Sequence, residues 1–311
     1  MQKVRWIMPH TMFPKARLQH RKFSALTMVN PQWLGSGDIL AYSGALRIAQ
    51  FLSEAIPYAE NEVEGPGLPE EFMPEDLKAD EDPEEKKEKD TTETVIAETK
   101  AAYRVLKDLE PEKLLTVGGS EEADAASLYH MFKLYQKDIA VIWISPRSNF
   151  RKKDEEMTAP FRDRILSVLT GREREADYLP LYIPYDRIIH VGGKGFVDEE
   201  KEAFKDAGIT AVSWEEDFLS VISDWLSEKK VQKIYLHLSL DALDMKAFTE
   251  GSVSLPEGIT WVNFIDAVNY LNMAYDIMGI GIFDTKPESI EDERIMELIE
   301  FGVEKTGFTA E

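Results

Sequence analysis

With 311 residues, 43% of them hydrophobic, the chain can bury a substantial core, which excludes disorder of the whole. No apolar run reaches the roughly 18 residues needed to span a bilayer, and the absence of cysteine removes disulfides, thiolate metal sites and cysteine nucleophiles together. A formal charge of −22 excludes a nucleic-acid partner, which needs a basic face, so the expectation is a soluble, cytoplasmic protein without membrane contact.

The charge is uneven. Residues 1–22 hold six Lys or Arg and no acid. This start reads either as an organelle-targeting segment or as a first strand, Val4–Met8, followed by a solvated loop. Ser24–Val29 is a second short strand. Asp38 then caps a helix whose apolar residues Ile39, Leu40, Ile48, Phe51 and Leu52 share one face. Residues 60–93 carry fifteen Asp or Glu against four Lys, a net of −11 and half the total charge. Pro66, Pro69, Pro74 and Pro83 interrupt the segment, which reads as an acidic, mobile insertion. It serves either as a charged lid or docking element, or as a solvated insertion without a role.

From Glu93 the pattern becomes regular. Apolar spacing predicts helices near 93–109, 121–136, 159–170, 198–207, 215–229, 260–275 and 291–302. Between them lie strands at 113–117, 139–144, 187–191, 210–213, 233–239 and 277–283. Apolar strands separated by helices indicate a mainly parallel sheet covered on both faces. With no internal repeat and no change of composition, residues 1–311 read as a single domain, a three-layer α/β/α sandwich.

Three strand-to-loop junctions stand out. They read Gly118-Gly119-Ser120-Glu121-Glu122, Ser145-Pro146-Arg147-Ser148-Asn149 and Ser239-Leu240-Asp241-Ala242-Leu243-Asp244. In order and spacing they resemble the metal-binding loops of the ureohydrolases (arginase, agmatinase and formiminoglutamase). Those loops read roughly GGDHS, DAHxD and SxDxDxxDP. Two further segments add to the resemblance. Glu257-Gly258-Ile259-Thr260-Trp261 is similar to the family's GGLTYRE turn, and Gly279–Pro287 to its GLDIMEVNP segment. The likeness covers roughly residues 93–303. It implies an α/β/α sandwich around about eight parallel strands, assembled as a homo-oligomer, a trimer or hexamer.

The resemblance also implies two Mn²⁺ ions activating a water that attacks a guanidinium carbon. Carried over by position, the family's ligands fall on Glu121, Ser145, Arg147, Asn149, Ser239 and Asp241, and its guanidinium-holding Glu falls on Asp284. Only Asp241 keeps a ligand's identity. The six positions sum to a charge of about −1, against −4 from four aspartates in a complete site. Arg147 stays charged at every accessible pH, so it would bring a cation to where a dication belongs. The expectation is therefore an arginase-like pseudoenzyme with the manganese ligands largely absent and no cofactor. Its cleft would bind a small cationic or amino-acid ligand, or the protein would act as a scaffold or regulatory partner.

An alternative remains open: a hydrolase of amidine- or guanidine-type C–N bonds using Glu121, Asp241 and Asp284 around one metal, or Asp284 as a general base. It requires Arg147 to point away. The pseudoenzyme reading instead places the guanidinium within salt-bridge distance of Asp241, Glu121 or Asp284. Glu121 also has a plainer reading, as an acid in the first turn of a helix capped by Ser120. His190 and His237 read as core or edge residues of their strands. Val191–Gly195 lacks the spacing of a phosphate loop.

Overall fold

The computed structural model describes residues 3–8, 25–55, 63–64, 91–152, 160–173, 182–192, 196–243 and 258–305. Among the described residues, nine strands form one parallel sheet: β1 (Lys3–Met8), β2 (Ala25–Asn30), β3 (Val63–Glu64), β4 (Lys113–Gly118), β5 (Ile139–Ile144), β6 (Ile188–Gly192), β7 (Thr210–Ser213), β8 (Lys233–Ser239) and β9 (Asp276–Phe283). Their order across the sheet is β3-β1-β2-β4-β9-β8-β5-β6-β7. The expected sheet is thus present, with a two-residue edge strand inside the acidic segment that composition did not disclose. Apart from residues 63–64 and 91–93, that segment lies outside the described residues, as do His10, His20 and Gly193–Gly195.

Among the described residues, eight α-helices cover the sheet: α1 (Ile39–Ala55), α2 (Thr92–Leu109), α3 (Ala125–Tyr135), α4 (Phe161–Leu169), α5 (Asp198–Ala207), α6 (Phe218–Lys229), α7 (Trp261–Ala274) and α8 (Glu293–Lys305). The expected cap of α1 is present, with Asp38 Oδ1 accepting from the Leu40 amide at 2.9 Å.

Strand periodicity separates the two cores. Along β5, Ala140, Ile142 and Ile144 pack with α1, α6, α7 and α8, whereas Ile139, Val141 and Trp143 pack with α2, α3, α4 and α5. Each face is buried, so the strand must be apolar at every position rather than alternately. This is the physical source of the uninterrupted run Ile139–Ile144, and it makes the molecule a three-layer sandwich.

One end of the sheet matters for function. Because every pairing is parallel, all strands discharge their loops along the same carboxyl edge. The four adjacent central strands β4, β9, β8 and β5 open there into Gly119–Asp124, Asp284–Lys286, Leu240–Leu243 and Ser145–Asn149. Loops distant in sequence meet there, as ligand-binding loops do in open α/β sheets.

Candidate functional site

The expected ion pair of Arg147 is present three times. Its Nη1 donates to Glu121 Oε1 at 3.2 Å and to Asp284 Oδ2 at 3.3 Å, and its Nη2 donates to Asp241 Oδ2 at 2.7 Å. The guanidinium therefore joins the loops after β4, β5, β8 and β9. Its arm is fixed from below. The Arg147 amide donates to Ser145 Oγ at 3.1 Å, and the Ser145 amide donates to the Val191 carbonyl at 3.1 Å. Buried His190 donates from Nε2 to the Arg147 carbonyl at 3.0 Å. Burial lowers the pKa of His190 to about 4, so it is neutral and its Nε2 carries the proton.

Glu121 is fully buried; it stands in the first turn of the short, tight helix Glu121–Asp124 and also reaches the neighbouring loops. Oε1 also accepts from Ser145 Oγ at 3.1 Å, and Oε2 faces His237 Nε2 at 3.3 Å. Burial raises its pKa, but the hydrogen bonds from His237 and Ser145 and the charge of Arg147 outweigh burial and hold it at about 2. Ser120 does not cap the helix. Its Oγ donates to Glu122 Oε1, and α3 begins only at Ala125, after a tighter turn through Glu121–Asp124.

Asp284 has a left-handed backbone, φ 56°, and its amide donates to the Gly119 carbonyl at 2.6 Å. That conformation, which Asp tolerates better than most residues, keeps the carboxylate at the sheet edge. There Ser239 Oγ donates to Oδ2 at 2.5 Å. Burial chiefly, then the charges of Asp241 and Glu121, raise its pKa to about 7 against the opposing pull of Arg147.

Of the positions singled out by sequence, Glu121, Ser145, Arg147, Ser239, Asp241 and Asp284 are brought together, and Asn149 is not. Its Oδ1 accepts from Trp143 Nε1 at 3.0 Å and its Nδ2 donates to the Arg162 carbonyl at 2.9 Å, with φ at 53°. Asn149 shapes the loop and leaves the cluster to its neighbours.

Sequence reasoning missed the layer beneath. His237 is no ordinary core histidine: Nδ1 lies 2.7 Å from Asp124 Oδ2, and the Tyr235 hydroxyl donates to Asp124 Oδ1. The imidazole stacks on Trp143, with centroids 3.5 Å apart, and on Phe283 at 4.9 Å. Burial disfavours its cation, but Asp124 and Glu121 outweigh burial and raise its pKa above the usual histidine value. Gly281 makes room for this layer, since a Cβ there would stand 2.5 Å from the Phe283 ring and 2.8 Å from Asp124 Oδ2. A signal was available in the sequence. Lys233, Tyr235, His237 and Ser239 alternate with Ile234, Leu236 and Leu238, so they share one face of β8.

The cluster thus has two levels. Buried Asp124, His237 and Glu121 form a continuous polar chain ending at Arg147. Above it, Arg147 and Asp241 are about a quarter exposed, and Lys286 Nζ stands 3.7 Å from Asp241 Oδ1. Among the described residues, no three His, Asp or Glu are grouped as metal ligands, and no helix is long and apolar enough to cross a membrane.

The arginase family's sequence model matches residues 66–300, more than half of the chain. Arginase from Bacillus subtilis superposes with a TM-score of 0.66 at 18% identity, covering 94% of this chain and 100% of that one. Arginase from Entamoeba histolytica in complex with L-ornithine gives 0.68 at 14% identity, with 93% and 100% covered. Formimidoylglutamase from Bacillus subtilis gives 0.63 at 13% identity, with 93% and 86% covered. No curated protein matches the chain significantly.

Proposed function

We propose that this chain, which belongs to the arginase family, does not carry out metal-dependent guanidine hydrolysis and uses its cleft to bind a small ligand in a non-catalytic role. The observation that carries the reading is the Arg147 guanidinium, bonded at once to Glu121, Asp241 and Asp284. These three carboxylates are the ones a divalent ion would recruit, and a fixed cation already engages them. Ser145 and Ser239 are neutral at the other two ligand positions in the cluster, and Asn149 is turned onto Trp143. The residues present therefore do not fit a pair of manganese ions, because a cluster of four positive charges would sit against a guanidinium with too few anions around it.

The hydrolase alternative required Arg147 to point away from the site, and its position inside the cluster weighs against it. Asp284, a general-base candidate, is engaged by Ser239 as well as Arg147. Both contacts fall on Oδ2, so the weight against the alternative rests on the position of Arg147.

The test is elemental analysis of the purified protein, followed by Mn²⁺ calorimetry after chelation and an assay for urea or ammonia release from guanidino and amidino compounds. The expected result is no stoichiometric metal, no heat of binding and no turnover. One or two tightly bound ions per chain, or turnover that scales with added Mn²⁺, would overturn the reading.

A further inference from the structure

The bonds of Arg147 leave part of its guanidinium unused. Of the five N–H donors of an arginine, Nη1 spends two, on Glu121 and Asp284, and Nη2 spends one, on Asp241. The Nε hydrogen and the second Nη2 hydrogen have no acceptor among the described residues. The side chain is 25% exposed. Lys286 stands on the far side of Asp241, its Nζ 3.7 Å from Oδ1, with its side chain 23% exposed.

Lys286 is held there by its backbone. Its amide donates to Ser289 Oγ at 2.9 Å, and the neighbouring Thr285 hydroxyl donates to the Gly118 carbonyl at 3.0 Å. Gly44 of α1 lets the helix press directly on this turn, since a Cβ there would lie 2.5 Å from the Lys286 nitrogen. The two oxygens of Asp241 are thus divided between two cations, Arg147 and Lys286, while Glu121 and Asp284 engage Arg147 from the buried side.

From this geometry we infer that the cleft mouth binds a small oxyanion, a carboxylate or a phosphate, between the unused donors of Arg147 and the ammonium of Lys286. The inference rests on the reading that Arg147, rather than a metal, is the resident cation of the cleft. The planar donors of a guanidinium suit a two-oxygen acceptor, and an ammonium adds charge without demanding one geometry. A cationic ligand fits less well. It would have to displace Arg147 from three carboxylates, and at the mouth it would meet Arg147 and Lys286 first.

The experiment is calorimetric titration of the full chain at low ionic strength with inorganic phosphate and, separately, with acetate. Each titration is run with and without a chelator. Saturable binding of at least one anion is expected, about tenfold weaker in Lys286→Ala, as loss of one charged hydrogen bond implies, and abolished in Lys286→Glu. Lys229→Ala, on α6, should bind as the parent does. Phosphate alone binding would assign the site to phosphate esters, and acetate binding would assign it to carboxylates. No saturable binding of either anion, or equal binding by both Lys286 variants, would overturn the inference and leave the metal-free reading standing. Binding abolished by the chelator would mean that a metal holds the anion, and would overturn both. The Lys286 side chain is partly solvated and lies outside the buried network, so its variants are expected to fold, which circular dichroism checks.

Discussion

Nη2 of Arg147 lies 2.7 Å from Oδ2 of Asp241, bridging loops 94 residues apart. Arg147 and Asp241 are each about a quarter exposed, so solvent screening makes their mutual attraction worth much less than a buried pair. The larger effect of losing Arg147 would come from below, where Glu121 and Asp284 would be left buried without their cation. Arg147→Ala is expected to cost about 3–5 kcal/mol in denaturant unfolding, and Asp241→Asn about 1 kcal/mol or less. Equal losses in the two variants would contradict this division between an open and a buried level.

Arg147→Ala should also change what the cleft binds. Removing the guanidinium leaves Glu121, Asp241 and Asp284 facing one space, and three converging carboxylates suit a hard divalent ion. Millimolar Mn²⁺ or Mg²⁺ is expected to raise the melting temperature of the variant while leaving the parent unchanged. A parent that shifts equally would mean that Arg147 does not exclude the ion.

Below Arg147, His237 is shared by Asp124 and Glu121. Replacing it with Phe would preserve the stacking on Trp143 but strand two buried acids, at a cost of about 3 kcal/mol or more. Pairing His237→Phe with Asp124→Asn should recover part of that loss. An additive double variant would indicate that the two groups act independently.

Stability should fall as pH rises from about 5 to 8, and the sign follows from linkage. Burial raises Glu122 from the usual 4.5 to about 7 and Glu98 to about 8, and Asp284 rises to about 7. Groups with a raised folded pKa hold protons that the unfolded chain has already released. Their stabilising contribution is complete below the unfolded value and is lost as pH climbs through the folded one. Each contributes a slope of at most about 1.4 kcal/mol per pH unit. Glu121 acts oppositely: its pKa is lowered to about 2, so its contribution is lost only as pH falls from about 4.5 toward that value. Glu122→Gln removes one titrating acid, so unfolding curves at pH 5.5 and 8 should differ less in this variant than in the parent.

Gly281→Ala tests the packing that admits the buried chain. The added methyl would meet the Phe283 ring and Asp124 Oδ2 at contact distances no core tolerates without movement. The expected cost is about 1–3 kcal/mol, with the change confined to stability if the mouth of the cleft is unaffected. Oxyanion titration of this variant separates the two levels.

Much of this architecture could be read from residue order. Helices and strands follow from local spacing, and β5, β7 and β8 begin and end at the residues that pattern indicated. The convergence of Arg147 with Asp241, Glu121 and Asp284 was also legible, because a buried cation and buried acids at adjoining strand ends must compensate one another. His237 was read as a core residue, which its full burial bears out, but its carboxylate partners were not legible. A histidine in an apolar strand has the same local signature whether it faces a ring, a backbone or a carboxylate, and Asp124 lies 113 residues from it.

By itself, then, the sequence determined the layers, the parallel sheet and the charges delivered to its carboxyl edge, because these depend on period, composition and the fixed protonation of arginine. Only the tertiary structure decided which acid meets which cation, that Asn149 turns away, and that Lys286 flanks Asp241 at the mouth. Those outcomes depend on distances of a few ångströms between loops brought together by strand order, and local pattern carries no information at that scale.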